Sequence, residues 1–249
     1  MNLGLMLDAV VVLSSGLLLT VTLTALSLAA GFLVSVPLAF VRAFGRPGQS
    51  LTVLAYTYVF RGTPMLVQLF LLYYGLSQIP AVRASLFWVI LRDPFWCALL
   101  TFSLNSAAHT TEILCRGLQS VPRGVVEAAS ALGLKRLQIA RLVTFPIAFR
   151  ISLPAYGNEV VGMIKGSSLA STVTLLEITG MARQMVSATF APYEIFIVAG
   201  AIYLSLTSLA VKATQFLERR LSSEGNPKQR RKARISPSLP DHKITTPMT

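Results

Sequence analysis

Three polar side chains lie within long, mostly apolar stretches of the chain, where an unpaired polar group is costly. Glu159 follows the segment LPAYGN, and Asn105 and Ser106 lie in the uncharged stretch 94–111. A carboxylate in such a place requires a cation or several hydrogen-bond donors, and the guanidinium or ammonium group of a solute meets that requirement. The alternative is that Glu159 pairs with a cation of the protein and that Asn105 bonds a neighbouring helix. We predict that Glu159, Asn105 and Ser106 line a solute pathway, and the alternative stays open at this point.

The sequence contains no recognisable catalytic or metal-binding pattern. Cys97 and Cys115 would lie about 27 Å apart in one helix and form no CxxC pair. His109 and His242 are far apart in sequence, and neither an HExxH nor a GxSxG motif occurs. The segment GNEVVGMIKGS has two glycines at the spacing of a phosphate-binding loop, but no lysine follows the second one directly. We therefore expect no catalytic residue, no metal and no cofactor in this chain.

The composition is typical of a membrane protein. Of 249 residues, 53% are hydrophobic and 13% are charged, and the mean hydropathy is +0.64. A soluble domain carries about 25% charged residues. The net charge of +12 raises the question of a nucleic-acid partner. The cations, however, lie between and after the apolar stretches, so we expect contact with membrane lipid and none with nucleic acid.

The distribution of charge predicts an all-α membrane protein with about five transmembrane helices. A crossing needs roughly 20 predominantly apolar residues. The candidate stretches are 9–41, 62–82, 94–111, about 146–165, and 195–211. The fourth contains Pro146, Pro154 and Glu159, so we expect it to pack inside protein. The start of the chain has no basic segment, so the first stretch is expected to remain as an anchor.

The basic residues predict how these helices are oriented. Sixteen of the 22 lysines and arginines lie in 42–50, in 116–150 and from 219 onward, which five crossings place on one side. Cytoplasmic loops carry such an excess of basic residues. We therefore expect the amino terminus outside the cytoplasm and the carboxyl terminus inside it. The predicted regions are an extracytoplasmic segment 1–8, a membrane domain 9–220, and a basic, disordered cytoplasmic tail 221–249.

A short polar helix, predicted over 120–135, interrupts the apolar pattern. Ser120 is suited to cap its start, Pro122 to occupy its first turn, and Gly133 to end it. One face is predicted to be apolar, formed by Val125, Val126, Ala129 and Leu132. The small residues of the stretch leave a surface that another backbone can approach closely, with Glu127 at its rim. The alternative is a helix that lies passively on the membrane surface.

Several segments of the chain resemble the permease subunits of binding-protein-dependent ABC importers. EAASALGLKRLQIARLVTFP (127–146) resembles their EAA loop, with Val143 and Phe145 where that motif usually has isoleucine and leucine. The other segments resemble the polar amino-acid subfamily; they are VFRGTPMLVQLFLLYYGL (59–76), EILCRGLQSVP (112–122), LPAYGNEVVGMIKGSSLAS (153–171) and ATFAPYE (188–194). Permeases for histidine, lysine, arginine and ornithine, and those for opines, are the most similar. The tail lies outside the resemblance.

The resemblance implies a type I permease fold in which the 120–135 helix is a coupling helix. Glu127, Ala128, Ala129 and Gly133 would contact a cytoplasmic ATPase subunit, which would bind the ATP. The resemblance also implies a second permease subunit, similar or identical to this one, and an extracytoplasmic solute-binding protein. The solute would be a basic amino acid or an opine, and the location would be the bacterial inner membrane.

A self-sufficient carrier or channel for small solutes is the main alternative function. Secondary transporters usually contain two related halves. No second copy of the 120–146 pattern is evident, and five crossings do not divide evenly.

Three charged residues near the predicted helix ends are expected to have structural or gating roles. Arg61 begins the segment RGTP, and we expect it near the cytoplasmic end of the second crossing, with a bend at Gly62 and Pro64. Glu112 and Arg116 are four residues apart and can pair on one face of a helix.

Overall fold

The computed structural model describes residues 2–85 and 88–222, and this part of the chain is mostly helical and contains no strand. The helices are α1 (Leu3–Ser15), α2 (Leu17–Phe44), α3 (Pro47–Gly62), α4 (Met65–Phe70), α5 (Pro80–Arg83), α6 (Trp88–Leu91), α7 (Pro94–Gln119), α8 (Arg123–Ala131), α9 (Arg136–Gln138), α10 (Phe145–Gly166), α11 (Ile178–Thr189) and α12 (Pro192–Ser222). Leu71–Gly75 and Ile139–Thr144 are π-helical, and Leu76–Gln78 and Ser167–Val173 form 3₁₀ turns. The predicted tail lies outside the described residues from 223 onward.

Two helical segments, Leu3–Phe44 and Pro192–Leu221, are long and apolar enough to cross a bilayer by length and composition alone. The other segments of crossing length are α7, α10 and the broken run from α3 to Gln78. α7 and α10 contain charged residues, which lower their mean hydropathy, and the run from α3 to Gln78 is interrupted between α3 and α4. The all-α architecture predicted from the sequence is confirmed, and these five segments correspond to the five predicted crossings.

The second crossing begins earlier than the uncharged stretch 62–82 predicts. α3 already starts at Pro47 and runs alongside α7, where the Tyr56 hydroxyl donates a hydrogen bond to the Leu104 carbonyl (2.6 Å). Residue 104 lies near the middle of α7, so the end of α3 lies deep within the bundle. The expected position of Arg61 at the cytoplasmic end of this crossing is therefore wrong. A charged residue does not always mark the border of a crossing, because an arginine that faces protein or a cleft can lie inside one.

The break between α3 and α4 is held by side-chain hydrogen bonds. Thr63 and Pro64 have extended backbone angles, as expected for the residue before a proline and the proline itself. The Gln68 amide donates to the Phe60 carbonyl (2.7 Å) and to the Thr63 hydroxyl (2.8 Å). The predicted bend at this site is present, and its exposed backbone groups are satisfied by α4.

α7 is the central helix and packs against α2, α3 and α10. Small residues let these helices approach closely, as is common in membrane bundles. A Cβ atom at Gly31 of α2 would lie 2.9 Å from the Cβ of Ser106. A Cβ atom at Gly117 of α7 would lie 2.7 Å from the Ala148 carbonyl oxygen of α10. The position of Ser106 and of the α7–α10 cleft thus depends on these two glycines.

Glu112 pairs across helices rather than along its own helix. Its Oε1 atom accepts a hydrogen bond from the Thr57 hydroxyl of α3 (2.8 Å) and lies 3.4 Å from Nε of Arg42 in α2. The predicted pairing with Arg116 is wrong, because Glu112 faces α2 and α3 while Arg116 is exposed and lines a cleft beside α10. The ion pair therefore ties the first, second and third crossings together.

We expect Glu112→Ala to destabilise the protein by about 3 kcal/mol, because Arg42 would keep its charge inside the bundle without a carboxylate. The value lies at the lower end for buried pairs, since the Arg42 side chain is 24% exposed. Thermal unfolding of the purified protein measures the effect. Asp8→Asn, at an exposed position of α1, is the matched control. Equal melting temperatures for the two variants would contradict the assigned ion pair.

Candidate functional site

The predicted 120–135 helix is present as α8, and Gly133 ends it in the predicted manner. Gly133 has φ +81, a left-handed conformation that glycine adopts without strain. Its N–H donates to the Ser130 carbonyl (2.9 Å), and the N–H of Leu134 donates to the Ala129 carbonyl (3.3 Å). These two bonds form a Schellman motif, which satisfies carbonyls that the helix leaves open.

The start of α8 differs from the prediction. α7 continues to Gln119, so Ser120 closes α7, and its hydroxyl donates to the Arg116 carbonyl (2.7 Å). Pro122 precedes α8 in an extended conformation, and its carbonyl accepts from the N–H of Val125 (3.1 Å). Ser120 therefore ends α7 instead of capping the start of α8, and Pro122 precedes the first turn of α8 instead of lying within it.

Only part of the predicted apolar face of α8 packs against the protein. Val126 packs against a cluster that includes Leu118 and Val121, and Ala129 is buried. Val125, however, is 39% exposed and Leu132 is 83% exposed. The helical periodicity fails for Leu132 because α8 ends at Ala131 and the left-handed turn at Gly133 follows directly.

The outward surface of α8 carries both polar and apolar exposed residues. Three of the four residues predicted to contact an ATPase are exposed there, namely Glu127, Ala128 and Gly133. The fourth, Ala129, faces the chain's own core and adds nothing to the outer surface. The side chains of Leu132 and Leu137 are also highly exposed, at 83% and 79%. Large exposed apolar side chains beside charged groups are typical of a contact surface.

We call the exposed residues Glu127, Ala128, Leu132, Gly133 and Leu137 the α8 surface. The exposure of Leu132 and Leu137 was not predicted, since the helical periodicity places Leu132 on the inward face. Gly133 was the sequence signal for the exposure of Leu132, because a left-handed glycine at 133 ends the helix and so removes Leu132 from the helical periodicity.

The structure separates the predicted pathway residues into two groups. The Asn105 amide donates to Gln68 Oε1 (3.0 Å) and to the Phe60 carbonyl (3.3 Å), so it stabilises the break between α3 and α4. The Asn105 amide nitrogen is thus engaged with neighbouring helices, as expected under the alternative that Asn105 has a structural role. A role for Asn105 in binding solute stays a prediction.

Glu159 and Ser106 do lie together, between α7 and α10. The Ser106 hydroxyl is close to the Glu159 carboxylate, and Nδ1 of His109 lies 3.9 Å from Glu159 Oε2. At that distance His109 makes no hydrogen bond, and its charge depends on its protonation. The Glu159 side chain is only 13% exposed, whereas the His109 side chain is 36% exposed. Glu159 therefore lies inside the bundle, and His109 is a loose cationic partner for it.

A cleft of about 200 Å³ extends from His109 between α7 and α10. Its charged lining residues are Arg61, His109, Glu112 and Arg116. Ala155 lines the cleft from α10, and Glu159 follows one helical turn later on the same face. Arg61 and His109 were not among the predicted pathway residues, because their places in the cleft and the nearness of His109 to Glu159 depend on contacts between distant segments.

Helices of crossing length, an exposed surface patch on a short connecting helix and a charged cleft within the bundle define a membrane transport component. The chain matches the family of binding-protein-dependent transport system inner membrane components over residues 31–223. That match covers more than half of its length, and the chain belongs to this family.

Similar proteins are permeases of opine and amino-acid transport systems. The chain is 45% identical over 219 residues to the nopaline transport system permease protein of Agrobacterium fabrum, covering 88% of this chain and 91% of that protein. It is 43% identical over 236 residues to the octopine transport system permease protein of Rhizobium meliloti, covering 95% and 94%. A crystal structure of an amino acid ABC transporter with histidines superimposes with a TM-score of 0.77 at 32% identity, covering 88% and 99%.

These findings confirm the resemblance stated from the sequence and the type I permease fold that it implied. The chain is a membrane component of a binding-protein-dependent transport system, and this family consists of transport components rather than enzymes. A self-sufficient carrier is therefore not the function of this chain.

Proposed function

We propose that the chain imports a basic amino acid or an opine through a pathway that passes Glu159 and Ser106. The two opine permeases described above are similar over nearly the whole chain. Nopaline and octopine are derivatives of arginine and carry a guanidinium group. The carboxylate of Glu159, inside the bundle and only loosely paired with His109, is a suitable partner for that group.

The energy comes from two cytoplasmic ATPase subunits, one of which docks on the α8 surface of this chain and the other on the second permease subunit. The observation that carries this proposal is the geometry of that surface: it projects Glu127 and Leu132 outward from a helix that is anchored by Val126 and ended by Gly133. An exposed leucine needs a partner to cover it, and a firmly capped helix can transmit a displacement to α7 and α10. A second permease subunit, similar or identical, and an extracytoplasmic solute-binding protein complete the complex.

The same proposal fixes the orientation of the chain in the bacterial inner membrane. Segment 1–8 lies outside the cytoplasm, 9–220 forms the membrane domain, and the basic segment 221–249 lies in the cytoplasm, next to anionic lipid. The asymmetry of the basic residues supports this orientation.

Co-purification and uptake measurements test the proposed function. We expect the detergent-purified chain to bring with it stoichiometric ATPase subunits, and Leu132→Glu to reduce their recovery by at least about tenfold, because it places an uncompensated charge in the contact. The purified chain alone is expected to transport nothing in vesicles. Concentrative uptake by the chain without ATPase subunits would contradict the proposal.

A further inference from the structure

The position of Arg61 within the bundle is the starting point. Phe60, the preceding residue, offers its carbonyl to Asn105, so Arg61 lies at the depth of the middle of α7. An ionisable side chain at this depth is costly unless it faces a protein group, water or a solute. The Arg61 side chain is exposed to the cleft that begins at His109.

The charged groups around this cleft are not equally engaged. The carboxylate of Glu112 is held by Thr57 and Arg42, and thus binds the helices together. Arg61 and His109 line the same cleft, and Nδ1 of His109 lies 3.9 Å from Oε2 of Glu159. The guanidinium of Arg61 thus faces the cleft from α3, and the carboxylate of Glu159 on α10 lies next to His109, at the edge of the same cleft.

An amino acid or an opine carries both a cationic group and a carboxylate. A site that recognises it needs a carboxylate for the first and a cation for the second, and an arginine binds a carboxylate with two parallel hydrogen bonds. We propose that Arg61 binds the carboxylate of the transported solute while Glu159 binds its cationic group. This inference rests on the proposed function and requires that the transported solute keep a free carboxylate.

Two probes that differ only in the carboxylate test the role of Arg61. Arginine has the carboxylate and agmatine lacks it, while both carry the guanidinium. Direct binding of each labelled compound is measured on the purified permease–ATPase complex without the solute-binding protein, so that the permease alone determines the preference. We expect the wild-type complex to bind arginine at least about tenfold more tightly than agmatine, since a hydrogen-bonded charge pair contributes that much.

The variants have distinct expected results. Arg61→Gln should weaken arginine binding about tenfold to a hundredfold and leave agmatine binding unchanged, so that the preference disappears. Arg61→Lys should retain part of the preference for arginine, because lysine keeps the positive charge but lacks the planar guanidinium. Glu159→Gln should weaken the binding of both arginine and agmatine. Arg92→Gln removes an exposed arginine outside the cleft and should change neither.

The outcomes separate this inference from the proposed function. If Arg61→Gln weakens the binding of arginine and of agmatine equally, Arg61 does not bind the carboxylate. The same conclusion follows if the wild type prefers arginine and Arg61→Gln leaves arginine binding unchanged. A wild-type complex that contains its ATPase but binds neither of these compounds and does not bind octopine would overturn the proposed function and this inference with it. ATPase recovery and thermal unfolding of each variant show that the complex is intact.

Discussion

A Gly133→Asp permease is expected to insert and fold but to lose solute transport by at least about tenfold. No atom lies within 4 Å of a Cβ atom built at Gly133, so the new side chain meets no obstacle within the chain. Aspartate is one of the residues that visits the left-handed conformation, at a cost of about 1–2 kcal/mol. The added charge would instead lie on the α8 surface, where repulsion or an unpaired buried charge weakens docking by several kcal/mol.

Uptake and ATP hydrolysis are measured together in vesicles that contain the permease, the ATPase and the binding protein. In Gly133→Asp, ATP hydrolysis should no longer respond to the solute-loaded binding protein. Glu127→Lys should have the same effect through charge reversal on the same surface. Gly48→Asp is the control, since no atom lies within 4 Å of its Cβ position either and it is remote from α8 in sequence. Wild-type transport in both α8 variants would show that this helix does not couple the two activities.

The second large effect is expected for Glu159→Gln. Glutamine has nearly the same shape as glutamate, so the packing between α7 and α10 should persist. The loss of the negative charge removes a charge-assisted hydrogen bond to a guanidinium or ammonium group, which contributes about 1.5–3 kcal/mol. Uptake of arginine-like solutes should therefore fall by about tenfold to a hundredfold, while ATP hydrolysis and ATPase binding are retained.

Glu218→Gln provides the matched control, because it is the same substitution near the end of α12, away from the cleft. Uptake is measured as initial rates of labelled arginine and octopine at several concentrations. If Glu159→Gln transports both solutes at the wild-type rate, Glu159 has only a structural role beside His109 and Ser106.

Much of the fold follows from local sequence properties. Long apolar stretches predicted the crossings, and a glycine after a short amphipathic segment predicted where α8 ends. Both features depend on local sequence only. The crossings follow from the desolvation cost of a charge in lipid, and the end of α8 follows from the freedom of Gly133 to adopt φ +81. For the same reason the bend at Gly62 and Pro64 was predictable.

Contacts between distant segments could not be predicted in this way. Glu112 pairs with Arg42, seventy positions earlier in the chain, because α2 and α7 pack together. The border of an uncharged stretch at Arg61 predicts a position near the cytoplasmic end of the second crossing, whereas the packing of α3 on α7 places Arg61, in the last turn of α3, within the bundle.

The adjacent residues Ala128 and Ala129 show the same limit at the candidate site. Ala128 is exposed and Ala129 is buried, and only the way α8 packs on the bundle distinguishes these identical side chains. Glu159 could be identified from the sequence as an unusual intramembrane carboxylate, but its nearness to His109 could not.

The side of the membrane on which α8 lies is tested most directly by labelling a single cysteine at Ala128→Cys. The native cysteines, Cys97 and Cys115, are both buried, so a membrane-impermeant maleimide should give little background. We predict labelling in inside-out vesicles stripped of the ATPase, protection when the ATPase is added back, and no labelling in intact right-side-out vesicles. Labelling from the outer side, or labelling that bound ATPase leaves unchanged, would contradict the docking of an ATPase on this helix.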